Sequence, residues 1–186
     1  MVGEAVNDFK TGIITSENEE VKLECKVEIP VDAHLPTTYI DSERLRLDIY
    51  RRIADAKDNE TIALIAEEMI DRFGELPQAA INLLDVARLR LRAKSFGIRD
   101  LIATGKHLRI SPFVLPESAT LRLTRLYPGS IIKPSVETIL VAKQEKAAWA
   151  TGAKNEDVPQ STGREYLDWV MGVFDSLFTV QIAKKV

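Results

Sequence analysis

Leu83-Leu84-Asp85-Val86-Ala87-Arg88-Leu89-Arg90, closing at Gly97-Ile98 and running on into Arg99-Asp100-Leu101-Ile102-Ala103, is the stretch where the hydrophobic period changes. Before Gly97, Ala80, Leu83, Leu84, Ala87 and Leu91 recur at helical spacing, which places them on one face. After Gly97 the pattern shortens to strand-length runs separated by turn residues. Ile98–Ala103, His107–Ser111, Leu121–Leu126 and Thr138–Ala142 read as strands. Thr104-Gly105-Lys106 and Tyr127-Pro128-Gly129-Ser130 read as turns between them.

Two more helices precede this point. One starts near Asp41 or Ser42, both good N-cap types, and carries Leu45, Ile49 and Ile53, with Leu47, Tyr50 and Ala54 widening its apolar side. The next starts near Asp58-Asn59 and sets Ile62, Ile65, Ala66, Met69, Ile70 and Phe73 on one stripe before Gly74, a residue suited to a helix C-terminus. Pro77 is expected at the first position of the third helix, where its missing N–H is harmless. The links are short, so these helices pack on one another. Upstream, Val21, Leu23, Cys25, Val27 and Ile29 alternate with Lys22, Glu24, Lys26 and Glu28, as in a half-buried strand. A last helix carries Tyr166, Leu167, Val170, Met171, Phe174, Leu177 and Phe178, after a polar loop over Ala150–Gly163 and a capping box at Thr162–Glu165. Helices and strands are segregated rather than alternating. The fold class is therefore α+β: an N-terminal strand, a three-helix segment, then a small, mostly antiparallel sheet and a C-terminal helix. Residues 1–22, with a short amphipathic face at Val2, Ala5, Val6 and Phe9 and an acidic linker after it, read as a separate segment leading into a domain over 23–186.

Composition narrows the function. The chain has 186 residues, 45% of them hydrophobic, which supports a core without staples, and its net charge of −3 gives no bulk pull toward nucleic acid or anionic membrane. The single cysteine, Cys25, sits on the apolar side of its strand and reads as a core residue. Met1-Val2-Gly3-Glu4 lacks the basic and apolar parts of a signal peptide, and no run is long enough to span a membrane, so a cytoplasmic location is expected.

Catalytic signals are thin. His34 lies in a Pro-flanked loop and His107 starts a strand, neither at metal-ligand spacing, and no phosphate-cradling or nucleophile-elbow motif is present. The expectation is a non-enzymatic domain without cofactor or metal. Two charged groups stand out. Glu68 and Asp71, at i, i+3, share one face near Glu67. Their spacing fits either a solvated face with local pairing to Arg72 or a patch for a basic partner. Arg88, Arg90, Arg92 and Lys94 form two stripes on the third helix. These are favourable near a helix C-terminus, and they are the candidate surface for an alternative reading as a nucleic-acid-binding module. Trp149 and Trp169 read as core or interface anchors; Trp149, beside the polar loop, is the one expected to be partly exposed if either is, with the core as the expected place for it too.

The run Leu45-Arg46-Leu47-Asp48-Ile49-Tyr50-Arg51-Arg52-Ile53-Ala54, then Ile70-Asp71-Arg72-Phe73-Gly74-Glu75-Leu76-Pro77, then Leu83–Arg90 and Gly97-Ile98 resembles the C-terminal (TRCF) domain of bacterial transcription-repair coupling factors. Asp-Arg-Phe-Gly-x-x-Pro is its most specific piece, and the likeness covers about Val27 to Ile102. Residues 1–9 resemble the segment that follows the translocase module of that family. The resemblance implies a regulatory domain within an ATP-driven DNA translocase that displaces stalled RNA polymerase. Resting, the domain would pack on a UvrB-like module of the same protein, mask the surface that UvrA binds and restrain the motor. The resemblance also implies that Glu68 and Asp71 lie at that interdomain contact. RNA polymerase and DNA would be contacted through other domains.

Overall fold

Alternation at the start of the chain ends in a short strand, β1 (Lys26–Glu28), with Cys25 buried and Val27 turned inward between exposed Lys26 and Glu28. The computed structural model describes residues 25–143 and 163–178. The expected helix at Val2–Phe9, the acidic linker, Trp149 and the polar loop up to Thr162 lie outside them, as does the proposed boundary at 22/23.

From β1 the chain crosses through three helices before it returns to the sheet. α1 (Glu43–Asp55) is preceded by Ser42, as expected, and buries Ile49 and Ile53. Leu47 and Ala54 do not widen its apolar side, because both face solvent. α2 (Asn59–Phe73) buries Ile62, Ile65 and Met69, while Ile70 is exposed. Gly74 ends it with φ +87, a conformation that glycine adopts without a Cβ penalty. Pro77 is the N-cap rather than the first helical residue of α3 (Gln78–Ser95). Its extended ψ of 155° turns the chain into the helix from outside.

α3 differs from its single-stripe reading. Ala80, Leu84 and Ala87 belong to a core shared with α1 and α2, while Leu89 and Ala93 belong to a second core under the sheet. A helix wedged between two layers buries two faces, so Leu89 is inside although it lies off the expected stripe.

Past Gly97, β2 (Asp100–Thr104) and β3 (His107–Ser111) form a hairpin around Gly105-Lys106, with Thr104 opposite His107. The expected strand at Leu121–Leu126 is instead α4 (Glu117–Leu126). Pro116 stands at its N-cap, Glu117 favours its first turn, and Leu115, Ala119 and Leu123 supply an i, i+4, i+8 buried stripe. Leu121 and Leu123 alternate with polar residues as in a strand, yet Leu121 is 74% exposed and Leu123 is buried, as helical spacing requires. The chain turns at Gly129 (φ +88) into β4 (Ile131–Lys133), a strand too short to read from sequence, and then into β5 (Thr138–Ala142). The sheet order is β1-β2-β3-β5-β4, antiparallel except for the parallel β1–β2 pair.

α5 (Gly163–Phe178) packs its expected stripe against the inward side of this sheet, together with α4 and the end of α3. Phe178 meets Phe174, Phe113 and Phe96 at centroid separations of 4.8, 4.9 and 5.0 Å, and Trp169 packs half-buried against Tyr127 and Tyr166. Burial of side chains of this size contributes roughly 1.5–3 kcal/mol each. A polar joint locks α5 to α3. Arg164 bonds Asp85 at 2.6 Å and Asp168 at 3.1 Å, while Asn82 donates to the Asp32 carbonyl at 2.8 Å.

Candidate functional site: the acidic face of the second helix

α2 is anchored at both ends. The Asp58 carboxylate accepts the Thr61 N–H at 2.7 Å, and that bond holds its pKa below the usual carboxylate range. At the other end the Tyr39 hydroxyl donates to the carbonyls of Met69 and Gly74, each at 3.0 Å, while its ring meets Phe73 edge-on at 5.9 Å. The buried Ile62–Ile65–Met69 stripe fixes the helix rotation, so the opposite side is presented outward.

That outward side carries Leu64, Glu68 and Asp71 at i, i+4 and i+7, with Glu67 beside them. Leu64 is 60% exposed. The two expected site residues have different surroundings. Glu68 is half-buried, and both of its oxygens are occupied: Arg52 of α1 donates to Oε2 at 2.5 Å and Arg72 to Oε1 at 2.8 Å. Hydrogen bonds from Arg52, then Arg72, hold its carboxyl down at about 2. Asp71 is exposed, with no ion pair or hydrogen bond among the described residues. The local pairing to Arg72 anticipated from spacing is present. The bridge to Arg52 was not anticipated, because it depends on how α1 packs on α2. Leu64 was also overlooked, although an apolar residue four positions before Glu68 and off the buried stripe was visible in the sequence.

Glu68 ties stability to pH with a definite sign. Its carboxyl lies lower in the folded chain than its ordinary value of 4.5, so its contribution is present above that value and is lost as pH falls from 4.5 toward about 2. Both partners are partly solvated, and solvent screening limits the pair to about 1 kcal/mol. Glu68→Gln should therefore lower stability by about that amount at pH 7 and flatten the acid limb in thermal melts. A variant whose acid limb matched the parent's would contradict this role.

The basic residues of α3 are mostly engaged internally. Arg88 bonds Asp85 at 2.8 Å, and Arg92 bonds Asp175 at 2.7 Å while lying over the Phe174 ring. Arg90 buries its Nε without a hydrogen-bond partner, and Lys94 is exposed. The two cationic stripes are thus not a continuous free surface. His34 hydrogen-bonds Asp32 at 2.7 Å in the exposed loop, and His107 pairs with Thr104 and Ala142 in the sheet. No cluster of metal-ligating side chains occurs among the described residues. The Cys25 thiol is buried, and burial pushes its pKa up, away from the reactive thiolate. No described helix is long and apolar enough to cross a membrane.

Comparison with known proteins is specific. The family model for the TRCF domain matches residues 29–119, the span from the end of β1 into α4. These residues are a TRCF domain. The TRCF relatives extend the match beyond that span. The chain is 41% identical over 149 residues to a transcription-repair-coupling factor of Mycobacterium tuberculosis (76% of this chain, 12% of that protein). It is 41% identical over 97 residues to that of Escherichia coli (52% and 8%). The chain therefore spans 12% or less of the curated relatives it matches. Its fold is also that of a crystal structure of the C-terminal domain of a transcription-repair coupling factor, at TM-score 0.63 and 21% identity, covering 87% of this chain and 96% of that one.

Proposed function

We propose that residues 23–186 form the regulatory domain of a transcription-repair coupling factor, acting in transcription-coupled DNA repair in the cytoplasm. On this reading the domain is not itself an enzyme. The α2 face bearing Glu68 and Asp71 docks on a UvrB-like module of the same protein, covering the UvrA-binding surface and restraining the DNA translocase. RNA polymerase and DNA meet other parts of the protein. The observation that carries the reading is the unpaired, exposed Asp71 beside Glu68 on a helix pinned at both ends.

Such a face suits an arginine-bearing partner. Asp71 offers a free carboxylate for charge-assisted hydrogen bonds, and Leu64 offers an apolar contact beside it. Both Glu68 oxygens are already engaged by arginines, so its part is to hold α1 against α2, while Asp71 meets the partner. Exposed ion pairs are individually weak, at about 0–1 kcal/mol, which suits a contact that must open. Tethering within one polypeptide keeps a weak contact closed through high effective concentration.

The test separates masking from folding. In the full-length protein, Asp71→Arg should increase UvrA capture at least about fivefold, a loss of coupling of about 1 kcal/mol. The melting temperature of the isolated chain should stay unchanged, because Asp71 is exposed and makes no hydrogen bond or ion pair among the described residues. The same substitution should weaken binding of this chain to a separately produced UvrB-like module. Unchanged UvrA capture together with an unchanged melt would overturn the assignment.

A further inference from the structure

The sheet has a second face. α3, α4 and α5 all cover the side that carries Leu101, Leu108, Ile110, Ile139 and Val141. The opposite side aligns Ile102, Arg109, Leu140 and Ile131 across four strands, each directly opposite the next. An open groove of about 560 Å³ crosses one end of this face.

Three cations reach it from three different segments: Arg99 before β2, Arg109 on β3 and Lys133 on β4. Only one acid, Asp100, lines it. Asp100 accepts the Ser111 hydroxyl at 3.2 Å and lies 3.7 Å from Arg109 Nη2, which steadies that guanidinium without neutralising the groove. Arg99 and Lys133 are exposed and make no ion pair among the described residues. Like charges converging on one concavity repel, so this arrangement favours an anionic occupant.

The lining also selects among anions. It has no aromatic side chain, so it lacks the stacking platform that single-stranded nucleic acid uses. It does have an apolar floor, with Val136 59% exposed beside Leu140. We propose that this groove binds an extended acidic segment of a partner protein, whose carboxylates pair with Arg99, Arg109 and Lys133 while an apolar side chain rests on Val136 and Leu140. Arginine clusters are a recurring way to read acidic motifs. The groove shares no residue with the α2 face, so this inference stands apart from the masking role.

The probes are a fluorescein-labelled peptide, Glu-Asp-Leu-Glu-Asp-Leu-Glu, and a labelled oligothymidylate, each titrated with the whole chain by polarisation. Peptide affinity should fall at least about tenfold in the double variant Arg99→Glu, Lys133→Glu. It should fall less than about twofold in Lys94→Glu, Arg125→Glu, which makes the same change of charge at exposed sites outside the groove. Amide shifts induced by the peptide should map to residues 99–111 and 133–140. Equal loss in both double variants would reduce the effect to general charge attraction and overturn the proposal. So would an absence of peptide binding at about 50 mM salt, or oligothymidylate binding more tightly at the same residues.

Discussion

Leu123→Ala should destabilise the chain by about 2–5 kcal/mol, while Leu121→Ala should change stability by less than about 0.5 kcal/mol. The two leucines are two positions apart and identical in chemistry. On a strand they would share a face and lose similar amounts. On α4 they lie roughly 200° apart, with Leu123 fully buried in the sheet-side core and Leu121 in solvent. Removing the Leu123 side chain leaves a cavity against α5, which surrounding residues fill only in part. Urea unfolding of the two variants measures the difference. Equal losses would restore the strand reading of residues 121–126 and contradict α4.

The second large effect is at the start of α5. Gly163→Ala should cost about 1–3 kcal/mol, because a methyl there runs into the Val31 Cα and the Pro30 carbonyl oxygen. Both obstacles are backbone, which cannot swing aside as a side chain would. Relief requires α5 to lift from the β1–α1 connection, straining the Arg164–Asp85 bond that ties it to α3. Gly172→Ala, on the same helix but with open space at its Cβ, should instead be neutral or stabilising by up to about 1 kcal/mol through a better helix propensity. A melt in which both substitutions behave alike would show that the close approach at Gly163 does not constrain the fold.

The long helices α1, α2 and α5 were legible because their apolar spacing persists over three turns or more, and Ser42, Asp58 and Gly74 punctuate them. The β2–β3 hairpin was legible because Gly105-Lys106 separates two strand-length runs. α4 was not, because six residues of local alternation outweighed a helical stripe that begins earlier, at Leu115. β4 has three residues and no period to read.

The acidic pair on α2 was visible as spacing, and its family context came from the residues around Asp71-Arg72-Phe73-Gly74. The different states of its two members were not visible. That Glu68 is bridged across two helices depends on Arg52, sixteen residues away on α1. The cationic groove is the stronger case, since Arg99, Arg109 and Lys133 share no periodic relation in the chain.

Sequence by itself determined the α+β class and the helix bearing Glu68 and Asp71, because each rests on period, caps and composition within one segment, and its motifs alone carried the TRCF resemblance. Only the tertiary structure decided that α3 serves two cores, that both Glu68 oxygens are engaged by arginines while Asp71 is exposed, and that three distant cations face one groove. The reason is that packing and sheet register bring together side chains whose separation along the chain carries no information about their distance in space.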